Sequence, residues 1–388
     1  MRRREDARVS LSVLIAGGGT GGHLYPGIAV AREIVARVPD AKVAFVGTAS
    51  GIEARVIPRE GFPLDTIRSA GLKGKSLTAR ARGVALLPAS AFDAWRVISR
   101  RRPSVVVGVG GYSSGPVVLL AAMRGIPTLL MEQNAIPGLT NRLLARVVKA
   151  AAVTYAESAA FFGGRAFAAG NPVRPEFFGG EHDDGGTPGV VRVLVSGGSQ
   201  GAHAINVAMV EAAPRLAAAS SGFAITHQTG EHDVTMVRDG YRRAGLEARV
   251  EPFLFAMDRE MKAADLVVCR AGATTLAELA AAGRASILIP LPTATDDHQR
   301  RNAEALVTRG AARMIEQRSL TGDVLATQIV ELAERHQERA RLGGAVRRLA
   351  RPDAAKVIVD RVLGLAAGGA GRDGPPAGGV QGRQPRAR

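Results

Sequence analysis

Seven residues, Gly17-Gly18-Gly19-Thr20-Gly21-Gly22-His23, have the composition of an anion cradle with a proton carrier at its lip. Glycines let backbone N–H groups approach a diphosphate closely, and a helix starting behind them adds the positive end of its dipole. An imidazole at the edge of such a turn titrates in the range that suits acid–base work, so His23 is a candidate for proton transfer. The turn returns 180 residues later as Gly197-Gly198-Ser199-Gln200-Gly201-Ala202-His203, with Gly17 over Gly197, Gly21 over Gly201 and His23 over His203. His203 reads as structural, in a helix expected to run smoothly through it. A third cluster, Arg270-Ala271-Gly272-Ala273-Thr274-Thr275, offers small residues and hydroxyls to a phosphate, and Glu278 one turn later offers a carboxylate to a ribose diol. The amide side chains of His298-Gln299 through Asn302 suit sugar hydroxyls, and Glu132-Gln133-Asn134 is a further polar junction on the cleft wall.

Such loops need strand ends to hold them. Val13 to Ala16 reads as a short buried strand, and Ile28, Ala31, Ile34, Val35 and Val38 recur at helical spacing after Pro26. Further strands are expected at Lys42 to Val46, Val105 to Val109, Thr128 to Met131, Val193 to Ser196, Leu266 to Cys269 and Ser286 to Pro290, with a short helix end at Arg55 to Arg59. The strand at Val105 runs into Gly110-Gly111-Tyr112-Ser113-Ser114-Gly115-Pro116 and a helix from Val117. In a parallel sheet these junctions open on one edge, where ligands bind. Two copies of one glycine turn at domain spacing imply two similar α/β halves. Between them, Gly170 to Pro175 reads as a hinge and Gly179 to Gly189 as a surface loop whose Glu181, Asp183 and Asp184 are solvated. A last amphipathic helix is expected at Ala354 to Leu365, and the glycine-, proline- and arginine-rich tail from Ala366 as disordered.

The chain has 388 residues, 46% of them apolar, which fits two domains. Its single Cys269 excludes an intrachain disulfide framework and fits a reducing compartment. Arg2, Arg3 and Arg4 precede an apolar run, but that run ends at Gly17, so it reads as the first strand and not as a signal peptide. Pro88, Asp93 and Pro116 break the nearest candidates for a membrane span. The formal net charge is +16, and residues 68–102 alone carry nine Lys or Arg against Asp93. That segment also holds Leu72, Leu77, Phe92 and Trp95, so cations flank an apolar surface as they do in elements that touch membranes. Leu72, Lys73, Lys75, Leu77, Arg80, Arg82 and Trp95 are the residues expected to face an anionic membrane. With few aromatics and no recognisable nucleic-acid motif, the charge does not point to nucleic acid. No Asp-x-Asp pair follows a strand to hold a metal against a diphosphate, and no essential metal or cofactor is expected.

Gly17-x-Gly19-x-x-Gly22 also fits the dinucleotide fingerprint, but Val46 is followed by Gly47-Thr48 where a nicotinamide site would need an acid, and no lysine follows the glycines as in a P-loop. Two facing Rossmann-like domains of a nucleotide-sugar transferase use both copies and the cleft between them. An epimerase of the same architecture and a non-enzymatic anionic-polymer binder are the alternatives.

The motifs Gly17 to His23, Gly110 to Pro116, Glu132 to Asn134 with Gly138 to Asn141, Asn171 to Arg174, Gly197 to Ala202, Gly272 to Glu278 and Asp297 to Gln299 with Asn302 together resemble the MurG family. Its members are the undecaprenyl-diphospho-muramoylpentapeptide β-N-acetylglucosaminyltransferases of glycosyltransferase family 28. The resemblance spans about Leu11 to Leu365. It implies an α/β chain with the GT-B fold, two Rossmann-like parallel-sheet domains facing across a cleft. Residues 1–173 would form the acceptor and membrane domain, 174–351 the UDP-GlcNAc domain, 352–365 a helix packing back on the first domain, and 366–388 the tail. It further implies inverting transfer of GlcNAc from UDP-GlcNAc to the MurNAc C4 hydroxyl of lipid I, giving lipid II and UDP, at the cytoplasmic face of the plasma membrane.

Carried onto this sequence, the resemblance assigns Thr20, Gly21, Gly22, Asn134, Arg174, Ser199, Leu254, Ala273, Thr274, Thr275, Leu276, Ala277, Glu278 and Gln299 to the donor. Gly18, Gly19, Gly111, Tyr112, Ser113 and Gln133 would meet the acceptor, with His23 as general base or as a ligand of the acceptor diphosphate. Leu254-Phe255-Ala256-Met257 is more apolar than the family often has there, and Ala271 replaces a common serine.

Overall fold

The computed structural model describes residues 11–69, 85–178, 189–198 and 200–368. Outside the described residues lie Leu72, Lys73, Lys75, Leu77, Arg80, Arg82 and Ser199, most of the acidic loop after Phe178, and nearly all of the tail.

Runs of valine, isoleucine and leucine apolar on both faces suit parallel strands covered on both sides. Seven form the first sheet: β1 (Ser12–Gly17), β2 (Lys42–Gly47), β3 (Leu64–Thr66), β4 (Val105–Gly110), β5 (Thr128–Glu132), β6 (Ala150–Val153) and β7 (Ala166–Ala168). Their order is β3-β2-β1-β4-β5-β6-β7, every pair parallel. Six form the second: β8 (Val190–Ser196), β9 (Gly222–Gln228), β10 (Ala248–Glu251), β11 (Leu266–Cys269), β12 (Ala285–Leu288) and β13 (Arg313–Met314). Their order is β10-β9-β8-β11-β12-β13, again all parallel. Strand order reverses at β1/β4 and at β8/β11, and the crevices left at such points receive ligands. Both glycine turns sit at these reversals.

At the first reversal the register slips: Ala16 pairs with Gly108, but Gly17 pairs with Gly110. Gly17 has φ 142°, and a Cβ there would overlap the Gly110 carbonyl, so only glycine fits. Each sheet carries apolar clusters on both faces. The helix Ala354–Ala366 buries Ile358, Val359, Val362 and Leu365 with Ile15, Ile28 and Ile34 of the first sheet's core, so it packs back on the first domain.

Three local expectations need correction. The second glycine turn leads into a helix that begins at His203 itself, with Ala202 as N-cap, so no helix runs smoothly through that histidine. The helix after β4 begins at Ser114, three residues before the expected start. The short helix Glu53–Arg59 starts two residues early and so includes Glu53, which the sequence reading passed over. Among the described residues no helix is long and apolar enough to cross a membrane.

Because Ile358 is fully buried against strands far away in the chain, Ile358→Ala should cost about 2–5 kcal/mol of stability. Urea unfolding should show a lower midpoint with an unchanged m-value, and an unshifted midpoint would mean that this helix does not hold the first domain together.

Candidate functional site

The first glycine turn is already hydrogen-bonded from within the protein. Gly18 N–H donates to the Gly110 carbonyl (3.3 Å), and Gly19 N–H donates to Oε2 of Glu53 (2.8 Å). Glu53 also accepts from the N–H (2.8 Å) and hydroxyl (2.9 Å) of Thr48 and is 1% exposed. Burial pushes its carboxyl up, but the hydrogen bonds from Gly19, Thr48 and its own amide outweigh this and hold it below the usual range. A Cβ at Gly18 would lie 2.6 Å from the carboxylate, and one at Gly47 or Gly51 would overlap the same side chain.

Behind the turn runs the helix Gly21–Arg37, which contains Pro26. Proline has no N–H for the carbonyl four residues back, which here is Gly22. That carbonyl instead accepts from the hydroxyl of Thr274, 2.8 Å away in the second domain.

His23 lies between these contacts. Its Nδ1 is 3.3 Å from Thr20 Oγ1, and its ring rests on Gly110, where a Cβ would come within 2.8 Å of it. Burial, then the nearby His298 imidazole, lower its pKa to about 4, against a smaller upward pull from a hydrogen bond with the Gly18 backbone. The ordinary imidazole titration that suited His23 to acid–base work is therefore corrected: burial keeps it a neutral imidazole at physiological pH.

Beside it stand the other first-domain loops. Tyr112 is exposed and Gly111 partly so, but Ser113 is 2% exposed, so its hydroxyl is not on the open wall with them. Glu132, at the end of β5, accepts from the N–H (3.0 Å) and Nδ2 (3.2 Å) of Asn134, the N–H of Gly138 (3.1 Å) and Nδ2 of Asn141 (2.8 Å). Burial outweighs these bonds and raises its pKa. Glu132 thus shapes the loop that presents Asn134. Gln133 donates Nε2 to the Val109 carbonyl, and its buried Oε1 has no protein partner.

The opposite wall is the helix Ala273–Ala282, with Gly272 as N-cap. Its first-turn amides, at Ala273, Thr274 and Thr275, have no intrahelical acceptor and are ready for an anion. Leu276 is core, 2% exposed, so its side chain takes no part. Ala277 is half-buried. Burial raises the Glu278 carboxyl to about 7, with Arg174 pulling it down and Asp258 pushing it up by smaller amounts. Arg174, in the link between domains, lies over Tyr25 (5.3 Å to the ring centroid) and Phe177 (5.0 Å).

Gln228, at the end of β9, is a residue the sequence reading missed. It donates to the Gly198 carbonyl (2.8 Å) and accepts from the Leu254 N–H (2.9 Å), tying the second glycine turn to the segment expected at the base. Since that N–H is already used, Leu254 has only its carbonyl to offer without rearrangement. Gln299 accepts from the Leu291 N–H (3.0 Å).

Asn302, expected on sugar hydroxyls, is fully buried and joins the domains. It accepts from the Ala135 N–H (3.0 Å) and donates to Asn134 Oδ1 (3.2 Å) and the Ala271 carbonyl (3.4 Å). Arg142 and Asp296 form an ion pair across the same boundary at 2.9 Å. His203, at the start of its helix, places Nδ1 2.9 Å from Asp233. Among the described residues no group of three or more His, Cys, Asp or Glu is placed to hold a metal ion.

The chain matches the glycosyltransferase family 28 N-terminal domain over residues 13–153 and the family 28 C-terminal domain over residues 192–358. A UDP-N-acetylglucosamine–N-acetylmuramyl-(pentapeptide) pyrophosphoryl-undecaprenol N-acetylglucosamine transferase of Anaeromyxobacter sp. (strain K) is 50% identical over 92% of this chain and 93% of its own. The protein of the same description from Myxococcus xanthus (strain DK1622) is 46% identical over 92% and 93%. Among solved structures, the MurG of Acinetobacter baumannii superposes with a TM-score of 0.74 at 31% identity, covering 91% of this chain and 99% of that one. A putative UDP-N-acetylglucosamine 2-epimerase from Listeria monocytogenes shares the fold, with a TM-score of 0.63 at 13% identity over 92% and 96%. With its two parallel-sheet domains and this likeness along nearly its whole length, the chain belongs to the MurG family of glycosyltransferase family 28.

Proposed function

We propose that this chain transfers GlcNAc, with inversion, from UDP-GlcNAc to the MurNAc C4 hydroxyl of lipid I, giving lipid II and UDP at the cytoplasmic face of the plasma membrane. The observation that carries this reading is the 2.8 Å hydrogen bond from Thr274 to Gly22, which sets the anion-ready start of one domain's helix against the loop bearing His23 in the other. In this reading residues 1–173 receive the acceptor, 174–351 hold the donor, and the helix Ala354–Ala366 braces the first.

The uridine diphosphate lies against Ala273, Thr274 and Thr275, with Glu278 accepting from the ribose diol and Arg174 countering charge nearby. Thr20, Gly21, Gly22, Asn134 and Gln299 complete the donor's surroundings, and Leu254 borders the base. As the C4 oxygen bonds to the anomeric carbon, its proton passes to the neutral imidazole of His23. The bond from that carbon to the phosphate oxygen breaks with its electron pair going to UDP. Charge growing on that oxygen meets donors that are already oriented. A base with a pKa near 4 is weak, so proton transfer must run together with departure of UDP.

For the membrane, the helix Leu87–Arg101 exposes Leu87, Phe92 and Trp95, and the last two rings stack at 6.3 Å. Basic residues of the same segment supply attraction to an anionic leaflet of about 1 kcal/mol each.

Labelled UDP-GlcNAc incubated with a lipid I analogue should deliver its label to lipid. Label found in an epimerised nucleotide sugar, or nowhere but the substrate, would overturn the reading. His23→Ala should lower kcat by about 10²- to 10⁴-fold. A kcat within threefold of wild type would remove it from proton transfer.

The acid limb of kcat/KM for the donor should follow Glu278 near pH 7, persist in His23→Ala and vanish in Glu278→Gln. The same group governs stability. In the unfolded chain it ionises near 4.5 and in the folded protein near 7, so its charge weighs against folding increasingly between those values and fully above them. Glu278→Gln should therefore raise the melting temperature at pH 8 and leave it unchanged at pH 4.

Replacing Phe92 and Trp95 by serine should weaken binding to phosphatidylglycerol vesicles by about tenfold or more and spare turnover of a soluble short-chain acceptor. Unchanged vesicle binding would mean that this helix does not meet the membrane.

A further inference from the structure

The glycine turn that most resembles a phosphate site, Gly17 to Gly19, already contains an anion. Glu53 reaches it from the helix after β2, and its carboxylate takes the Gly19 N–H that would otherwise face a ligand. The Gly18 N–H is also engaged, at the Gly110 carbonyl. Thr48 supplies two further donors to the same carboxylate, and Gly18, Gly47 and Gly51 leave just the space its side chain fills. With both loop amides bonded and a full negative charge behind them, a phosphate entering this turn would meet repulsion and no free donor.

We propose that Glu53 is a built-in anion that occupies the first glycine turn, excludes substrate phosphate from Gly18 and Gly19, and positions the wall that carries Thr20 and His23. This rests on the reading of the acceptor as a lipid diphosphate, and it revises the placement of Gly18 and Gly19 against that group. The Gly21 and Gly22 amides, one helical step further on, have no intrahelical acceptor and stay with the donor. Glu53 touches no substrate. It acts through Gly19, four residues before His23, and is a positioning residue.

The second domain makes the contrast. Position 233, which is 53 shifted by the repeat of 180, is also an acid, Asp233. It accepts from Asn206 Nδ2 (2.8 Å) and pairs with His203 at the end of the second turn, and among the described residues it makes no bond to that turn's glycines. There the turn is held by Gln228 through a carbonyl, which leaves its amides outside that contact. The two turns of one repeat have thus been given opposite partners, an acceptor for an N–H in the first and a donor for a C=O in the second.

Removing the carboxylate should leave a vacant anion site. In Glu53→Ala, saturated with UDP so that the donor site is filled, formate should raise the melting temperature, while chloride at equal ionic strength should not and wild type should gain nothing from formate. kcat should fall by about 10²-fold, with the KM for UDP-GlcNAc within threefold of wild type, and formate should restore at least tenfold of it. Glu53→Gln keeps the shape but turns an amide NH₂ toward donors, so it should stay slow and show no rescue. Wild-type kcat in Glu53→Gln would overturn the proposal. So would a folded Glu53→Ala that binds UDP normally yet gains neither stability nor rate from formate. Failure of wild type to transfer sugar to a lipid acceptor would defeat the functional reading instead, and the formate-dependent melting of Glu53→Ala would still decide the role of Glu53.

Discussion

Pro26 removes the one N–H that could have bonded the Gly22 carbonyl inside its own helix, and the geometry of the cleft depends on that vacancy. A freed carbonyl near the protein interior needs a donor, and the hydroxyl of Thr274 supplies it from the other domain. Asn302 does the same work from the opposite direction, satisfying Asn134 and Ala135 across the boundary while holding Ala271 on its own side. Leaving such a buried group unpaired costs about 1–3 kcal/mol, so the two walls are fixed by mutual need as much as by apolar contact. Several residues that face the cleft are therefore already in use, and a ligand that enters must offer replacements for the bonds it displaces.

The two halves begin from one pattern and diverge in how they hold it. Strand, glycine turn and helix recur at a spacing of 180, and so does an acid beyond the second strand. In the first half that acid turns inward and closes the loop from behind. In the second it stays with His203 and Asn206, and the helix begins two residues later than the repeat would place it. Identical sequence steps have produced one turn closed by its own carboxylate and one held through a carbonyl.

The glycine turns and the strands flanking them were legible because their causes are local. A run such as Val105 to Val109 ending in two glycines declares both the strand and its exit, and Leu266 to Cys269 is a strand with those same ends in the structure. The short strands β3, β6, β7 and β13 were not legible, because two to four residues carry no period and exist as strands only through their neighbours. Glu53, Gln228 and the domain-joining role of Asn302 escaped for a related reason. Strand pairing or domain contact brings each to its partner across 26 to 168 residues of sequence, and nothing in the flanking residues announces it. The end of β2 carries Gly47-Thr48 and no acid, and Glu53, which closes the turn, lies five residues beyond Thr48.

Charge at this site follows the balance between burial and hydrogen bonds, and the balance differs from group to group. Burial drives both His23 and Glu278 toward their neutral forms, one to about 4 and the other to about 7. Glu53 and Glu132 are both buried carboxyls with several donors, yet the bonds prevail at the first and burial at the second. Both sit in the first domain, each organising one loop of the same wall. That wall therefore carries acidic groups within it, while the facing helix start has no acid in its first turn and Arg174 nearby. Of the two similar halves, the second is the one whose fixed charges suit an anion, and the first faces it with a neutral imidazole.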